Sequence, residues 1–547
     1  MKKLLISLAA AAAMAPLAAQ RPAGMPEITF TPQQKLHYAE KIIESYYVDD
    51  VSSDKIVQEA IVAMLKTLDP HSSYSDPEET KELTTPLEGN FSGIGIQFNM
   101  LNDTLFVIQT TAGGPSEKVG ILPGDRLLSA GDSILSGVKS PNSRILKILR
   151  GPKGSEVDLK VLRRGVKDPL AFSIIRDDIP IYSVDAAYMA DPKTGYIRIS
   201  RFAEETDQEF RKAIKDLRAQ GMKQLIIDLE DNGGGYLNAA HQLASHFLKK
   251  GDLVVYTDAP KMGRMVYDVE KPGDLQLEKV VILANQYSAS ASEILSGAIQ
   301  DNDRGLIVGR RTFGKGLVQR PFPFPDGSMI RLTVSKYYTP SGRSIQKPYE
   351  AGDEEGYRKD MLHRYEAGEF SSEDSIHFPD SLRFETLHNR RSVYGGGGIM
   401  PDLFVPIDTT AYSDYYRDLV AKGIINRYSI TYVDNNRTRL KAEYPDEAAF
   451  ISRFEVTDPM LQEIVKMGEA DSVKFNEQQF ERSKAMMATI VKGIIGRDLF
   501  ETSTYFKVVN PVLNPVFREG LLLINDDERY NSLLRYGRKN TADRNKK

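Results

Sequence analysis

No cysteine occurs in the 547 residues of this chain, which excludes disulfide bridges, thiolate metal sites and a lipid carried on an N-terminal cysteine. Ligand spacing gives no other support for a metal. His363, His377 and His388 follow no ligand pattern, and His241 and His246 stand five apart, off one helical face. A long apolar run is also missing, because the N-terminal one is short and broken by Pro16. Charge is nearly balanced. The formal net charge of −4, more negative without Lys2 and Lys3, argues against nucleic acid as the main partner. Two fingerprints fail as well. In Gly93-Ile94-Gly95-Ile96-Gln97-Phe98 the third glycine of a dinucleotide loop falls on Phe98. No G-x-S-x-G surrounds Ser290, which lowers an esterase on an α/β framework without excluding it.

What is present suits an exported protein of roughly three or four domains. Residues 1–20 run from Lys2-Lys3 through Leu4-Leu5-Ile6 and an alanine-rich stretch to Ala18-Ala19, a secretory signal pattern with an uncleaved anchor as the alternative. A cysteine-free exported chain fits the periplasm or cell envelope. Residues 28–86 form an N-terminal helical region, opened by Thr31-Pro32-Gln33-Gln34 as cap, first-turn proline and capping-box partner. Residues 87–177 are strand-rich and hold the glycine loop Gly93-Ile94-Gly95-Ile96, by itself compatible with a structural hairpin. Strands and helices then alternate, an α/β core over 178–408. Residues 347–398, rich in Glu, Asp and His, interrupt it and are expected to be a surface loop. Residues 409–547 form a mostly helical region. Its basic end, Arg535 to Lys547, is read as a solvated terminus, with contact to an anionic membrane periphery as the alternative.

One cluster carries chemistry. The apolar run Val280–Ala284 predicts a buried strand and Ala291–Gln300 a helix, so Ser290 stands on a strand-to-helix turn. Lys315 follows 25 residues later between Gly314 and Gly316, and Gln319 four residues beyond. A hydroxyl becomes a nucleophile when a base takes its proton, and lysine serves as that base when burial keeps it neutral. Gln319 is placed to orient the amine. The strand Leu225–Leu229 likewise leads through Asn232-Gly233-Gly234-Gly235 into a helix, exposing N–H groups as an oxyanion site requires; a phosphate loop or a tight turn would look the same.

These segments resemble the C-terminal processing proteases, tail-specific serine peptidases with a Ser-Lys dyad. Asn285–Glu293 is similar to that family's nucleophile segment and Thr312–Gln319 to its base segment; the resemblance spans Thr31 to Gln346, with a partial match at Val393–Pro406. It implies Ser290 as nucleophile, Lys315 as general base, Gln319 as its orienter, and N–H groups of Gly234, Gly235 and Ala291 as the oxyanion hole, with no cofactor. Residues 87–177 resemble a PDZ domain, in which Gly93, Ile94, Gly95 and Ile96 would bind the carboxylate of a protein or peptide with a free C-terminus. The fold implied is N-terminal helices, a PDZ-like domain, an α/β peptidase core and a helical C-terminal region. His71, in the similar segment Leu68–Tyr74, is left without a catalytic role because the base is a lysine. Glu230 stands where the family usually carries Arg, which leaves the charge beside the glycine loop open. A non-catalytic PDZ scaffold on a peptidase-like core is the alternative, disfavoured by the intact Ser290, Lys315 and Gln319.

Overall fold

The computed structural model describes residues 30–101, 103–276 and 278–537. The signal pattern and the end of the basic tail lie outside these residues. The described residues fall into two compact units, one ending at Met64 and the other beginning at Leu65. In the first, Thr31 Oγ1 accepts from Gln34 N–H (3.2 Å) while Gln34 Oε1 accepts from Thr31 N–H (2.9 Å), the expected capping box at the start of helix Pro32–Tyr46.

In the second unit the α/β core is a six-stranded sheet in the order Val184–Met189, Thr194–Ile199, Gln224–Asp228, Lys279–Ala284, Leu306–Gly309, Leu403–Phe404. Its first pair is antiparallel and the rest are parallel. Helices Thr206–Ala219, Leu237–Ser245 and Ala291–Asp301 cover one face through Phe210, Leu243, Ile294 and Leu295. The other face is covered by the C-terminal helix Pro515–Asn525, whose Val516, Phe517 and Leu523 pack on Ile226, Val281, Leu283 and Val308. A sheet buried on both faces needs continuous apolar strands, which is why Leu225–Ile227 and Val280–Ala284 show no polar alternation.

The region beyond residue 409 thus divides its work: Tyr415 to Leu499 build a helical core of their own, while the last helices complete the peptidase sheet. No helix among the described residues is long and apolar enough to cross a membrane.

A second sheet pairs Met329–Tyr338 with Leu317–Pro323, Ser73–Ser75 and Leu253–Ala259. It carries the segment after Lys315 and brings Asp69–Ser73 alongside. The PDZ-like sheet has Ile96–Leu101 at its edge, over a core of Ile94, Leu105, Leu127 and Val161. Arg126 holds this domain to the helical region through Asp434 (2.8 Å).

Residues 347–398 lie largely at the surface but are structured instead of forming a loop. They form helix Glu354–Glu366 and the hairpin Arg383–Glu385 with Ser392–Tyr394. Two buried arginines anchor them: Arg391 on Asp303 (2.7 Å), Asp402 and Gln300 O (2.9 Å), and Arg364 on Thr312 O (3.1 Å) and Arg311 O (2.8 Å). Much of the polar sequence faces water, while Arg364 and Arg391 satisfy buried acceptors of the core.

Candidate active site

Asp228 and Leu283 are register partners on adjacent parallel strands, so the loops that follow them emerge side by side at the carboxyl ends of the sheet. Asn232 joins them, its carbonyl accepting from Ala289 N–H (3.0 Å) and Ser292 Oγ–H (2.9 Å). Ser290 adopts φ +56°, ψ −113° at the start of its helix, a conformation costing a non-glycine residue about 1–3 kcal/mol.

Glu293 holds that conformation. Fully buried, its Oε2 accepts from Ser290 N–H (2.8 Å) and Lys315 N–H (2.9 Å), and its Oε1 from Gly314 N–H (2.7 Å) and Thr312 Oγ–H (2.5 Å). One carboxylate therefore binds both chemistry-bearing segments. Burial raises its pKa against the pull of these four bonds. The buried Tyr337 hydroxyl closes the other side, donating to Lys315 O and lying 3.2 Å from Ser290 O.

The Lys315 side chain is half-buried, and its pKa is lowered to about 8, first by desolvation and then by the Arg331 guanidinium, with Glu293 and Asp69 opposing. Among the described residues its Nζ makes no hydrogen bond, to Ser290 Oγ or to any other atom. Gln319 does not contact the amine: its Nε2 donates to Thr333 Oγ1 (3.2 Å) and Leu317 O (3.3 Å). Thr333 in turn donates to Asp69 (2.9 Å), which also accepts from His71 N–H and from Ser72 N–H and Oγ–H. Gln319 thus positions the wall of the site; its expected bond to Lys315 is not formed. His71 is neutral near pH 7, its pKa lowered to about 4 by burial and then by Lys315, and its Nε2 meets the Tyr357 hydroxyl at 2.9 Å.

The glycine loop also departs from expectation. Gly234 N–H is committed to Asn232 Oδ1 (2.8 Å), while Gly235 and Ala291 N–H have no acceptor among the described residues. Gly234 supplies clearance: a Cβ there would lie 2.8 Å from Ser290 Cβ and 2.9 Å from Ala291 N. Glu230 brings no loose charge. Buried, it accepts from Asn514 (2.7 Å), lies 3.9 Å from Arg310, and has its pKa raised to about 7 by desolvation and then by Asp228. Arg198 pairs with Asp228 (2.8 Å) beside it.

In the PDZ-like domain Gly93 and Ile96 lie in strands, and Ile94 and Gly95 make the turn between them, with Gly95 at φ +72°. Ile94 O and Gly95 O are taken by Ser116 and Thr111, whereas Ile94 N–H and Gly95 N–H have no acceptor among the described residues. The Ile94 side chain is in the domain core, and Ile96 and Phe98, both half-buried, pack against that core. No cluster of three or more metal-binding side chains is found among the described residues.

Sequence reasoning missed Glu293 as a joint, although it sits at the capping-box position after Ser290. Tyr337, Asp69 and Arg331 carried no local signal.

Family models match along the chain: peptidase family S41 over residues 193–355, a PDZ domain over 92–174, the activating protease CtpB N-terminal domain over 11–80, and a family of unknown function over 415–501. The carboxy-terminal-processing protease of Bartonella bacilliformis is 38% identical over 309 residues, 56% of this chain and 70% of that protein. The carboxy-terminal processing protease CtpB of Bacillus subtilis is 36% identical over 316 residues, 57% of this chain and 65% of that protein. The chain thus spans about two thirds of the length of these relatives. A solved photosystem II D1 C-terminal processing protease is 27% identical, with 58% of this chain and 91% of that one covered at a TM-score of 0.33. The chain belongs to peptidase family S41, the carboxy-terminal processing proteases, and is a serine-type peptidase with a PDZ domain.

Proposed function

We propose that this protein is an exported endopeptidase that selects protein substrates by their free C-terminal ends through its PDZ domain and cleaves them with Ser290 and Lys315. The observation that carries the reading is the Glu293 carboxylate, which ties the backbone of Ser290 to that of Lys315, a half-buried lysine whose pKa is lowered to about 8. Neutral Lys315 takes the Ser290 hydroxyl proton as Oγ bonds to the scissile carbonyl carbon. The oxyanion is received by Ala291 and Gly235 N–H. Lys315 then gives the proton to the leaving amine as the C–N bond breaks, and water, deprotonated by the same lysine, hydrolyses the ester. The Ser290–Lys315 bond that this requires forms with substrate bound, as catalytic hydrogen bonds often tighten only then. Export rests on the signal pattern of residues 1–20. Purified protein and its Ser290→Ala form, incubated with an unfolded protein and examined for fragments by mass spectrometry, test the reading. Cleavage by a folded Ser290→Ala protein would remove it.

A further inference from the structure

We propose that the C-terminal helices support the nucleophile turn, with Asn514 as a positioning residue that acts on Ser290 through Glu230. This inference rests on the Ser290–Lys315 reading. Asn514 joins helices Thr502–Leu513 and Pro515–Asn525, and the family matches end before it, at residue 501.

Asn514 is fixed by the helix it opens. Its Oδ1 accepts from Phe517 N–H (2.9 Å), so its amide nitrogen points the other way and donates to Glu230 Oε2 (2.7 Å). The helix itself is seated on the peptidase sheet through Val516, Phe517 and Leu523. Glu230 is buried; its N–H donates to Asp228 Oδ1 (2.8 Å) and its carbonyl accepts from Arg198 (3.0 Å). Its carboxylate faces Arg310 at 3.9 Å, and the bond from Asn514 is the only hydrogen bond that carboxylate receives among the described residues. Loss of that bond leaves a buried acceptor unpaired, which the loop relieves by moving.

Glu230 stands in a run of four residues whose other members are bonded to the nucleophile loop. Leu229 O accepts from Ser288 Oγ–H (2.7 Å). Asp231 N–H donates to Asn285 Oδ1 (3.1 Å), and the Asp231 carboxylate accepts from Asn285 Nδ2 (2.9 Å). Asn232 O accepts from Ala289 N–H (3.0 Å) and Ser292 Oγ–H (2.9 Å), on either side of Ser290. Asp231 also holds φ +62°, a left-handed conformation that a non-glycine residue keeps only where its neighbours fix it. Release of Glu230 therefore loosens Asp231 and Asn232 and, through them, the turn that presents Ser290. Arg310 closes the same path, because the guanidinium that faces Glu230 also donates to Gln286 of the nucleophile loop (2.8 Å).

The test exchanges donor and acceptor. Asn514→Asp keeps the helix cap but sets a second carboxylate against Glu230; combining it with Glu230→Gln restores one donor and one acceptor across the joint at unchanged net charge. The full-length enzyme is assayed on a labelled unfolded protein at about pH 9, where Glu230 is ionised and Lys315 neutral, with kcat and KM resolved and folding checked by circular dichroism. We expect Asn514→Asp to lower kcat roughly tenfold to hundredfold with KM within about twofold, and the double variant to recover kcat to within about threefold of Glu230→Gln alone. A folded Asn514→Asp enzyme with wild-type kcat, or a double variant no better than Asn514→Asp, overturns the proposal. If Asn514→Asp does not fold, Asn514→Ser, which still caps the helix but gives Glu230 no amide donor, decides: a lower kcat at constant KM supports the joint and a wild-type kcat overturns it. Ser290→Ala separates the two readings. If folded Ser290→Ala cleaves like the wild type, the nucleophile assignment fails and the joint with it; if it is inactive while Asn514→Asp keeps wild-type kcat, only the joint fails.

Discussion

Replacing Glu293 by glutamine removes a charge but keeps the shape, and so isolates what the carboxylate does. The carboxylate accepts four hydrogen bonds, two at each oxygen. An amide keeps one acceptor oxygen and puts an NH2 with two donors in place of the other, so in either orientation its NH2 faces two donors. With the nitrogen at the Oε2 position, the N–H groups of Ser290 and Lys315 both lose their acceptor, and neither backbone donor can turn away. At the Oε1 position only Gly314 N–H is orphaned, because the Thr312 hydroxyl can rotate and accept through its second lone pair, the first being taken by Ile399 N–H (2.7 Å). The second arrangement wins. A bond to a charged acceptor contributes about 1.5–3 kcal/mol, and an orphaned buried donor costs about 1–3 kcal/mol. Relief from burying a charge offsets part of this. We expect a net loss of about 2 kcal/mol confined to the Thr312–Gly316 loop. Displacing the base by about 1 Å should lower kcat by roughly 10²-fold with little change in KM. Alanine leaves all four donors without an acceptor and should bring activity to background. The assay is kcat and KM on a labelled unfolded protein, with hydrogen exchange of the Ser290 and Lys315 amides. A glutamine enzyme with wild-type kcat and wild-type amide protection would refute the reasoning.

Ser290→Ala and Lys315→Ala should each lower cleavage by about 10⁴-fold or more, and Lys315→Arg should match them because a guanidinium stays protonated. Free-enzyme activity should rise through about pH 8, where Lys315 loses its proton, and persist on the alkaline side. His71→Gln should leave that rise in place, since His71 is already neutral there; its disappearance in a folded protein would transfer the base role. Gly234→Ala places a methyl group against Ser290 Cβ and Ala291 N at φ +101° and should cost about 10²–10³-fold in kcat in a protein that still folds; wild-type kcat would show that the Ser290–Ala291 turn does not depend on the clearance Gly234 gives. Unfolded substrates ending in Leu or Val should be cleaved roughly tenfold to hundredfold better than those ending in Asp-Asp or an amide, if half-buried Ile96 and Phe98 receive the terminal side chain and Ile94 and Gly95 N–H the carboxylate. Equal cleavage of all would show that the PDZ domain does not read chain ends.

The sequence by itself determined what is local. Continuous apolar strands meant a sheet buried on both faces, and Ser290 had to stand on a strand-to-helix turn because the strand and helix patterns meet there. The glycines at 234 and 235 could be read as exposing N–H groups between strand and helix, whereas the approach of Phe202 and Ala289 backbone to them is tertiary. Sequence could also place Lys315 in a glycine-flanked loop, since spacing and flexibility are properties of a short segment. Only the tertiary structure decided which donors are free: Gly234 N–H is spent on Asn232, and Gln319 turns to Thr333 instead of Lys315. It also decided that Glu293, three residues from Ser290, reaches across to Gly314 and Lys315, and that Tyr337 and Arg331 come to the same place from a separate sheet. The largest reversals involve polar sequence. Residues 347–398 look solvated because charge and low hydrophobicity mark surface on average, yet Arg364 and Arg391 are buried against carbonyls and carboxylates far away in the chain. The C-terminal helix Pro515–Asn525 covers the peptidase sheet for a related reason: an amphipathic pattern shows that a face is buried, and only the assembled fold shows against what.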